Sequence, residues 1–317
     1  MRRLLVLAAL ALLFACKKDQ SPPEQKVRYM DEVFASAAVQ TVTYSQPNNL
    51  QMDVYQPMGD DNTNRPVVVL AHGGGFVGGF RYNPAMVRLG ENLAKRGYVA
   101  VSISYRLAPS FPALVDSNVA ADVVFKAIGD ARAAVRYLRK TVAEDGNPFG
   151  IDPDNILMGG NSAGAVLAVH LAFLDSKDSI QPFFTTIMQA NGGFEGNSGN
   201  AGYSSSVKAI FSMAGGIGRT NWIDANDVPS IHFHGVDDDI VPYACGDVFS
   251  GYVGGADVIN LCGSKTVHEK ALSVGLESTL YSYPGKHVPW MDLTTGEPYP
   301  LFDEVEQKVF DFLFTHL

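Results

Sequence analysis

Long apolar runs and positive charge are both scarce in this sequence. No stretch of about 20 consecutive apolar residues occurs, which excludes an ordinary transmembrane helix. The 24 lysines and arginines are outnumbered by 33 aspartates and glutamates, for a formal net charge of -9. An acidic chain gains nothing from a phosphate backbone, which argues against nucleic-acid binding. Charged residues are 18% and hydrophobic residues 46% of the 317 residues, so we expect a packed core and not global disorder.

The first sixteen residues resemble a targeting segment. Arg2 and Arg3 precede the apolar stretch Leu4–Phe14, which is too short to span a bilayer and is typical of a secretory signal. Residues 13–16 read L-F-A-C and resemble the lipobox of bacterial lipoproteins, in which the cysteine, here Cys16, is acylated and becomes the new N-terminus. The alternative is an ordinary signal peptide with an incidental cysteine.

These features predict three segments. Residues 1–15 form a lipoprotein signal peptide, residues 16–28 a lipidated N-terminus and flexible tether, and residues 29–317 one large domain. We expect the protein to be exported and lipid-anchored to the bacterial envelope, at the outer membrane, so that it meets the membrane through its lipid. Which face of the membrane it occupies and its oligomeric state are both left open.

Two cysteines remain if Cys16 carries lipid. Cys245 and Cys262 are 17 positions apart (262 − 245), and two cysteines in an oxidising compartment predict one disulfide. Closing a loop of that size would contribute about 3 kcal/mol by restricting the unfolded chain. Two buried free thiols are the alternative.

Strand and helix patterns alternate along the rest of the chain. This order predicts an α/β fold with a mostly parallel eight-stranded sheet and helices on both faces, the first two strands forming an antiparallel pair. The segment 191–206, rich in glycine, serine and asparagine, is predicted to be a surface loop. The predicted strands are 39–44, 50–55, 66–71, 99–105, 156–158, 209–213, 230–233 and 278–283, and the predicted helices are 84–96, one through 124–138, 163–174, 266–273 and 302–314.

A G-x-S-x-G segment joins a predicted strand to a predicted helix, where residues 160–164 read G-N-S-A-G. That context is the one a nucleophile elbow requires, because the serine occupies a strained turn and the glycines let strand and helix approach closely. The helix N-terminus also favours negative charge developing at the reacting centre. Ser162 is therefore the candidate nucleophile.

A glycine run follows the predicted strand 66–71, where residues 72–76 read H-G-G-G-F. Glycines allow several backbone N–H groups to turn toward one point, as an oxyanion hole requires. A flexible glycine turn is the alternative, which a second pair, Gly78 and Gly79, keeps open. The joint occurrence with the elbow is more specific than either motif alone.

The acid and base of a hydrolytic triad would follow in the order serine, acid, histidine. Three consecutive aspartates, Asp237–Asp239, come after the predicted strand 230–233. His287 lies on the loop after the last predicted strand, whereas His268 falls in a predicted helix and His316 is next to the C-terminus. His287 is therefore the candidate base, with a surface loop histidine as the alternative.

Over nearly all of residues 30–317 the chain resembles the bacterial carboxylesterases of the α/β-hydrolase fold that are related to hormone-sensitive lipase and to acetyl and feruloyl esterases. The resemblance implies Gly74, Gly75 and Ala163 as oxyanion donors and Asp238 as the triad acid. The matching pieces are H-G-G-G-F at 72–76, Y-R-L-A-P at 105–109, G-N-S-A-G at 160–164, H-G-x-x-D-x-x-V-P at 234–242, and His287.

Two departures from the family argue against long-chain lipase activity. Asn161 stands where the lipase branch often has aspartate, and no large N-terminal cap is evident. The resemblance then implies a serine carboxylic ester hydrolase that uses a Ser–His–Asp triad and an acyl-enzyme, without a cofactor. We expect its substrate to be a small-molecule or polysaccharide-linked ester, with a short acyl group or a carbohydrate alcohol.

Three alternatives stay open. A serine peptidase or a polyester depolymerase on the same fold would use the same triad, although no propeller or large lid domain accompanies a peptidase role. A non-catalytic binding protein on this fold would usually have lost a triad residue. No metal is expected, because His, Cys and carboxylates do not cluster at ligand spacing and three adjacent aspartates rarely face one ion. Phe76, Trp222, Tyr243 and Trp290 flank the motif loops as pocket walls or as packing residues.

Overall fold

The computed structural model describes residues 26–250 and 259–317. The predicted signal peptide, Cys16 and most of the tether lie outside the described residues. Within the described part of the chain, no helix is both long enough and apolar enough to cross a membrane.

Eleven strands form two sheets in the described residues. The large sheet has eight strands in the order β1-β2-β4-β3-β5-β6-β8-β11, and a small one has the order β7-β10-β9. The strands are β1 Ala37–Ser45, β2 Leu50–Pro57, β3 Arg65–Ala71, β4 Val99–Ile103, β5 Ile151–Asn161, β6 Ile210–Met213, β7 Gly216–Ile217, β8 Ser230–Gly235, β9 Cys245–Asp247, β10 Asn260–Gly263 and β11 Ser278–Tyr283.

The large sheet confirms the predicted architecture. The β1–β2 and β2–β4 pairs are antiparallel, and each later pair in the order is parallel. All eight predicted strands are present. The fifth runs over eleven residues instead of the predicted three, because Asp152, Asp154 and Asn155 interrupt the apolar pattern from which it was predicted.

Six α-helices occur in the described residues: α1 Pro84–Arg96, α2 Ser117–Glu144, α3 Ala163–Phe173, α4 Pro182–Ala190, α5 Ser264–Ser273 and α6 Leu301–Thr315. Side chains of β3 alternate between two cores, with Val67 and Val69 facing the core that contains α2 and α3. Val68 and Leu70 face the core that contains α1 and α6. Since successive strand residues point to opposite faces, β3 is buried on both sides.

The segment 191–206 is a loop, as predicted, and two buried arginines of α2 hold it. Arg136 donates to the carbonyl oxygens of Glu195 and Gly199 at 2.9 and 2.8 Å. Arg132 donates to the carbonyl oxygen of Phe194. These bonds supply partners for backbone acceptors that no strand or helix satisfies.

Cys245 and Cys262 are joined by a disulfide. They are directly opposite each other in the β9–β10 pair. Gly263 follows, and a Cβ atom there would lie 1.8 Å from the carbonyl oxygen of Pro242. The small sheet therefore packs tightly against the segment that follows β8.

Candidate active site

Ser162 lies in a strained turn between β5 and α3. Its φ is 53° and ψ is −118°, a backbone conformation that costs of order 1–3 kcal/mol for a residue other than glycine. The flanking glycines explain how the turn fits, because a Cβ atom at Gly160 or Gly164 would lie 2.5 or 2.0 Å from the carbonyl oxygen of Ala71. The turn projects Ser162 from the carboxyl end of the sheet.

Three sequence-predicted residues meet at this point. The Nε2 atom of His287 lies 2.7 Å from Oγ of Ser162, and its Nδ1 atom lies 2.6 Å from Oδ2 of Asp238. The loops after β8 and β11 deliver the acid and the histidine to the elbow. The arrangement is able to take a proton from the serine hydroxyl and stabilise the resulting imidazolium.

The carboxylate of Asp238 is fully buried, and both of its oxygens accept hydrogen bonds. Its Oδ1 atom accepts bonds from the backbone amides of Ile240 and Val241, both at 2.9 Å. Its Oδ2 atom is shared by His287 and His234. Burial alone would raise the pKa of this carboxyl, but the hydrogen bonds from the two histidines outweigh it and hold the pKa well below its usual range.

The neighbouring aspartates have other surroundings. Asp237 is exposed, and its backbone amide donates to the carbonyl oxygen of Gly285. Asp239 forms an ion pair with Lys286, with 2.7 Å between Oδ2 and Nζ. Of the three carboxylates, the structure brings Asp238 alone to His287.

The predicted oxyanion donors surround the same serine. Gly75 and Ala163 line one cavity beside Ser162, and Gly74 and Gly75 line another. Within residues 26–250 and 259–317, the amides of Gly74, Gly75 and Ala163 donate to no protein acceptor. Free amides at this position are able to bind a developing oxyanion.

The Y-R-L-A-P segment supports the glycine loop. Tyr105 donates from its hydroxyl to the carbonyl oxygen of His72 at 2.7 Å, and the two rings stack at 4.4 Å. The amide of Ala108 donates to the carbonyl oxygen of Phe76 at 2.7 Å. Burial lowers the pKa of His72 to about 4, so this histidine is neutral at pH 7. Sequence reasoning recognised the motif but missed this supporting role.

Two cavities meet at Ser162. The first has a volume of about 150 Å³, and its walls are almost entirely apolar. The second is more open, with a volume of about 570 Å³, and is lined by His287, Phe80, Tyr82 and residues 291–296. His287 borders the second cavity and not the first. The apolar walls include Leu114, Val124, Phe125, Ile128, Trp222 and Leu261.

The four aromatic candidates divide into two groups. Phe76 and Trp222 line the apolar cavity. Tyr243 instead bonds to Ser282 through its hydroxyl, and Trp290 is fully buried. Neither of these two borders the cavities at Ser162, so neither is a pocket wall.

No group of three or more histidine, cysteine, aspartate or glutamate residues in the described part of the chain is placed to hold a metal ion. The carboxylates of Asp237, Asp238 and Asp239 have different environments, so they do not form such a group.

A family model described as BD-FAE matches residues 52–218, more than half of the chain. The chain belongs to the BD-FAE family. The matched region contains the glycine loop and Ser162, and ends before Asp238 and His287. The family assignment is therefore independent of the acid and the histidine.

The curated relatives include esterases and a lipase, and the match to this chain covers only part of the length of each. Esterase-5A of Drosophila persimilis is 34% identical over 151 residues, covering 47% of this chain and 24% of that protein. Bile salt-activated lipase of Mus musculus is 32% identical over 131 residues, covering 39% and 21%. The chain thus spans about a quarter of the length of these relatives.

Among solved structures, the apo form of esterase 2 from Thermogutta terrifontis superposes with a TM-score of 0.61 at 20% identity. The alignment covers 91% of this chain and 97% of that one. Together with the sheet order, this similarity shows that the BD-FAE family member described here has the α/β-hydrolase fold.

Proposed function

We propose that the protein is a serine carboxylic ester hydrolase. The observation that carries this proposal is the chain of short hydrogen bonds from Ser162 through His287 to Asp238. Esterase and lipase relatives, and the family to which the chain belongs, support ester hydrolysis over other reactions of the same triad.

The mechanism follows from the geometry. His287 accepts the hydroxyl proton as Oγ of Ser162 attacks the ester carbonyl, and Asp238 stabilises the imidazolium. The amides of Gly74, Gly75 and Ala163 bind the oxyanion. His287 then protonates the departing alcohol, which leaves an acyl group on Ser162. Water, deprotonated by His287, then attacks the acyl carbonyl. The bond from the acyl carbon to Oγ breaks, His287 returns the proton to Oγ of Ser162, and the acid is released.

Each cavity is assigned one part of the ester substrate. Because His287 must give its proton to the leaving alcohol, we assign the alcohol to the open cavity that His287 borders. The acyl group then enters the apolar cavity. An engineered apolar cavity of similar size holds one benzene molecule, so acyl groups of up to about six carbons fit.

This cavity changes one premise drawn from the sequence. The sequence predicts no large N-terminal cap, and therefore too little apolar wall for more than a short acyl tail. The wall is provided instead by α2 and the small sheet, together with α4. We therefore propose a short to medium acyl group as the preferred substrate.

The open cavity suits a carbohydrate alcohol. The exposed rings of Phe80 and Tyr82 stack at 5.2 Å on its border, and exposed aromatic rings offer an apolar face to a sugar or another ring. We also propose export and lipid anchoring at Cys16, on the strength of the lipobox resemblance.

Labelling with a fluorophosphonate probe, combined with hydrolysis of 4-nitrophenyl butyrate, tests the proposed reaction. We expect the wild type to be labelled and active, and Ser162→Ala to lose labelling and roughly 10⁴–10⁶ of kcat. A Ser162→Ala variant that kept more than a tenth of the activity would refute the assignment. An unlabelled, inactive wild type would favour a non-catalytic binding protein, and amide cleavage exceeding ester cleavage would favour a peptidase.

A further inference from the structure

A second histidine contacts the same carboxylate oxygen as His287. His234 is a fully buried residue of β8, and its Nε2 atom lies 3.0 Å from Oδ2 of Asp238. The same nitrogen lies 3.0 Å from the carbonyl oxygen of Val241. His234 borders neither cavity at Ser162, so it does not touch the substrate.

The surroundings of His234 determine which nitrogen carries its proton. Nε2 faces an ionised carboxylate and a carbonyl oxygen, both of which only accept hydrogen bonds, so Nε2 carries the hydrogen. Nδ1 then accepts from the hydroxyl of Ser264, 2.7 Å away. The carbonyl oxygen of Gly215 lies 3.5 Å from the same hydroxyl, but its single proton goes to the shorter contact.

Each oxygen of Asp238 therefore has two donors. Backbone amides of Ile240 and Val241 donate to Oδ1. Oδ2 accepts from His287 and shares the single Nε2 hydrogen of His234 with the carbonyl oxygen of Val241. A carboxylate with four donors in fixed directions has no freedom to rotate. Without His234, the carboxylate would be held by the two amides on Oδ1, and His287 would be the one remaining donor to Oδ2.

We propose that His234 is a positioning residue that holds Asp238 in the orientation required by His287 and takes up part of the negative charge on Oδ2. This inference rests on the proposed function. Removing His234 should misalign His287, which lowers kcat, and should concentrate the carboxylate charge on His287, which stabilises the imidazolium of the free enzyme.

Other titratable groups lie near His234. The ring of Tyr243 is 5.6 Å from it, and His232 precedes it by two positions on the same strand. His232 is equally buried and bonds to Ser230, with no contact to Asp238. This makes His232→Leu a matched control for the loss of a buried histidine from β8.

The test compares four variants with the wild type on 4-nitrophenyl butyrate across pH. His234→Leu should lose about tenfold to a hundredfold in kcat, with KM unchanged and the acid limb of kcat/KM moved to higher pH. His234→Gln restores an N–H donor near the position of Nε2 and should recover most of kcat. His234→Asn places its amide near Nδ1 instead and should remain impaired. His232→Leu should lose stability but keep the kcat and the acid limb of the wild type.

The inference is overturned if His234→Leu keeps the kcat and the acid limb of the wild type. It is also overturned if His234→Gln and His234→Asn lose kcat to the same extent. An equal loss of kcat in His232→Leu would also overturn it. If His234→Leu does not fold, the Gln and Asn pair decides. An inactive wild type that the fluorophosphonate does not label would instead count against the proposed function.

Discussion

Trp290 donates from Nε1 to Oδ1 of Asn161 across 3.2 Å. Both side chains are buried. Asn161 precedes the nucleophile and Trp290 follows the candidate base by three positions, so this bond ties the His287 loop to the elbow. The distance between Ser162 and His287 thus depends on a contact that neither residue makes.

Trp290→Phe should weaken this tie. The smaller ring leaves Oδ1 of Asn161 buried without a donor, which costs about 1–3 kcal/mol in the free energy of unfolding. We expect kcat to fall several-fold while KM changes little, because the His287 loop is less well held and the cavities are untouched. Urea unfolding and steady-state kinetics measure the two effects. A loss of stability with unchanged kcat would show that the bond matters for folding alone.

Substituting each of the three aspartates in turn tests which one is the triad acid. Asp238→Asn should lose about 10⁴ in kcat, because an amide favours the wrong tautomer of His287. Asp237→Asn and Asp239→Asn should each lose less than about tenfold, since one side chain is exposed and the other pairs with Lys286. Measuring kcat for the three variants identifies the acid. The assignment of Asp238 as the acid is wrong if Asp237→Asn or Asp239→Asn, and not Asp238→Asn, loses most of its kcat.

Much of the fold was predictable because central strands such as β3 and β4 are largely apolar runs. The site was predictable because G-x-S-x-G, the glycine run and the order of acid and histidine are encoded locally. The 3₁₀ helix Phe111–Val115, α4 and the small sheet were missed. They are short, and α4 is stabilised by contacts with α2, such as Phe184 against Phe125, and not by a strong pattern of its own.

The roles of His234, Tyr105 and Trp290 were not predictable for a related reason. Each acts through a hydrogen bond to a distant or backbone atom, such as the carbonyl oxygen of His72 or the side chain of Asn161. A sequence shows the residue type but not the partner. Trp290 in particular is of a residue type that often lines pockets, yet its indole N–H is hydrogen-bonded inside the core.

A cluster of acidic residues predicts how stability depends on pH. Burial, followed by repulsion from Asp224, Asp178 and Asp175, raises the pKa of Asp227 from 3.8 to about 7. The folded state therefore binds a proton more tightly than the unfolded chain. This contribution to stability is fully present below about pH 4 and is lost as the pH rises to 7 and above.

Asp227→Asn should remove that dependence. The amide oxygen is still able to accept the hydrogen bond from the backbone of Asp224, and no charge is buried at high pH. Relative to the wild type, the variant should gain urea resistance at pH 8 and gain little at pH 4. Unfolding curves at both values test this, with Asp61→Asn, an exposed aspartate outside this cluster, as the control. A gain of equal size at both pH values would contradict the pKa-based account.

Lipid anchoring predicts a separation of location from activity. Cys16→Ser removes the proposed acylation site, so the protein should leave the membrane fraction of the bacterial host. Esterase kinetics should stay unchanged, because residues 26–317 contain every proposed active-site group. Fractionation and activity assays measure this. A variant that still sediments with membranes would mean that another part of the protein holds it there.

The apolar cavity predicts an acyl-length profile. Each added CH₂ contributes about 0.8 kcal/mol while it is buried, so kcat/KM for 4-nitrophenyl esters should rise from two carbons toward four to six. It should fall by ten to twelve carbons, because a cavity of about 150 Å³ has no room for the longer chain.

Ala121 is a buried residue of α2 on the cavity wall, and Ala121→Phe should move the optimum to shorter chains. Leu293→Ala, on the open cavity, should leave the profile in place. A wild-type optimum at twelve carbons, or an unchanged profile in Ala121→Phe, would mean that the acyl chain lies elsewhere.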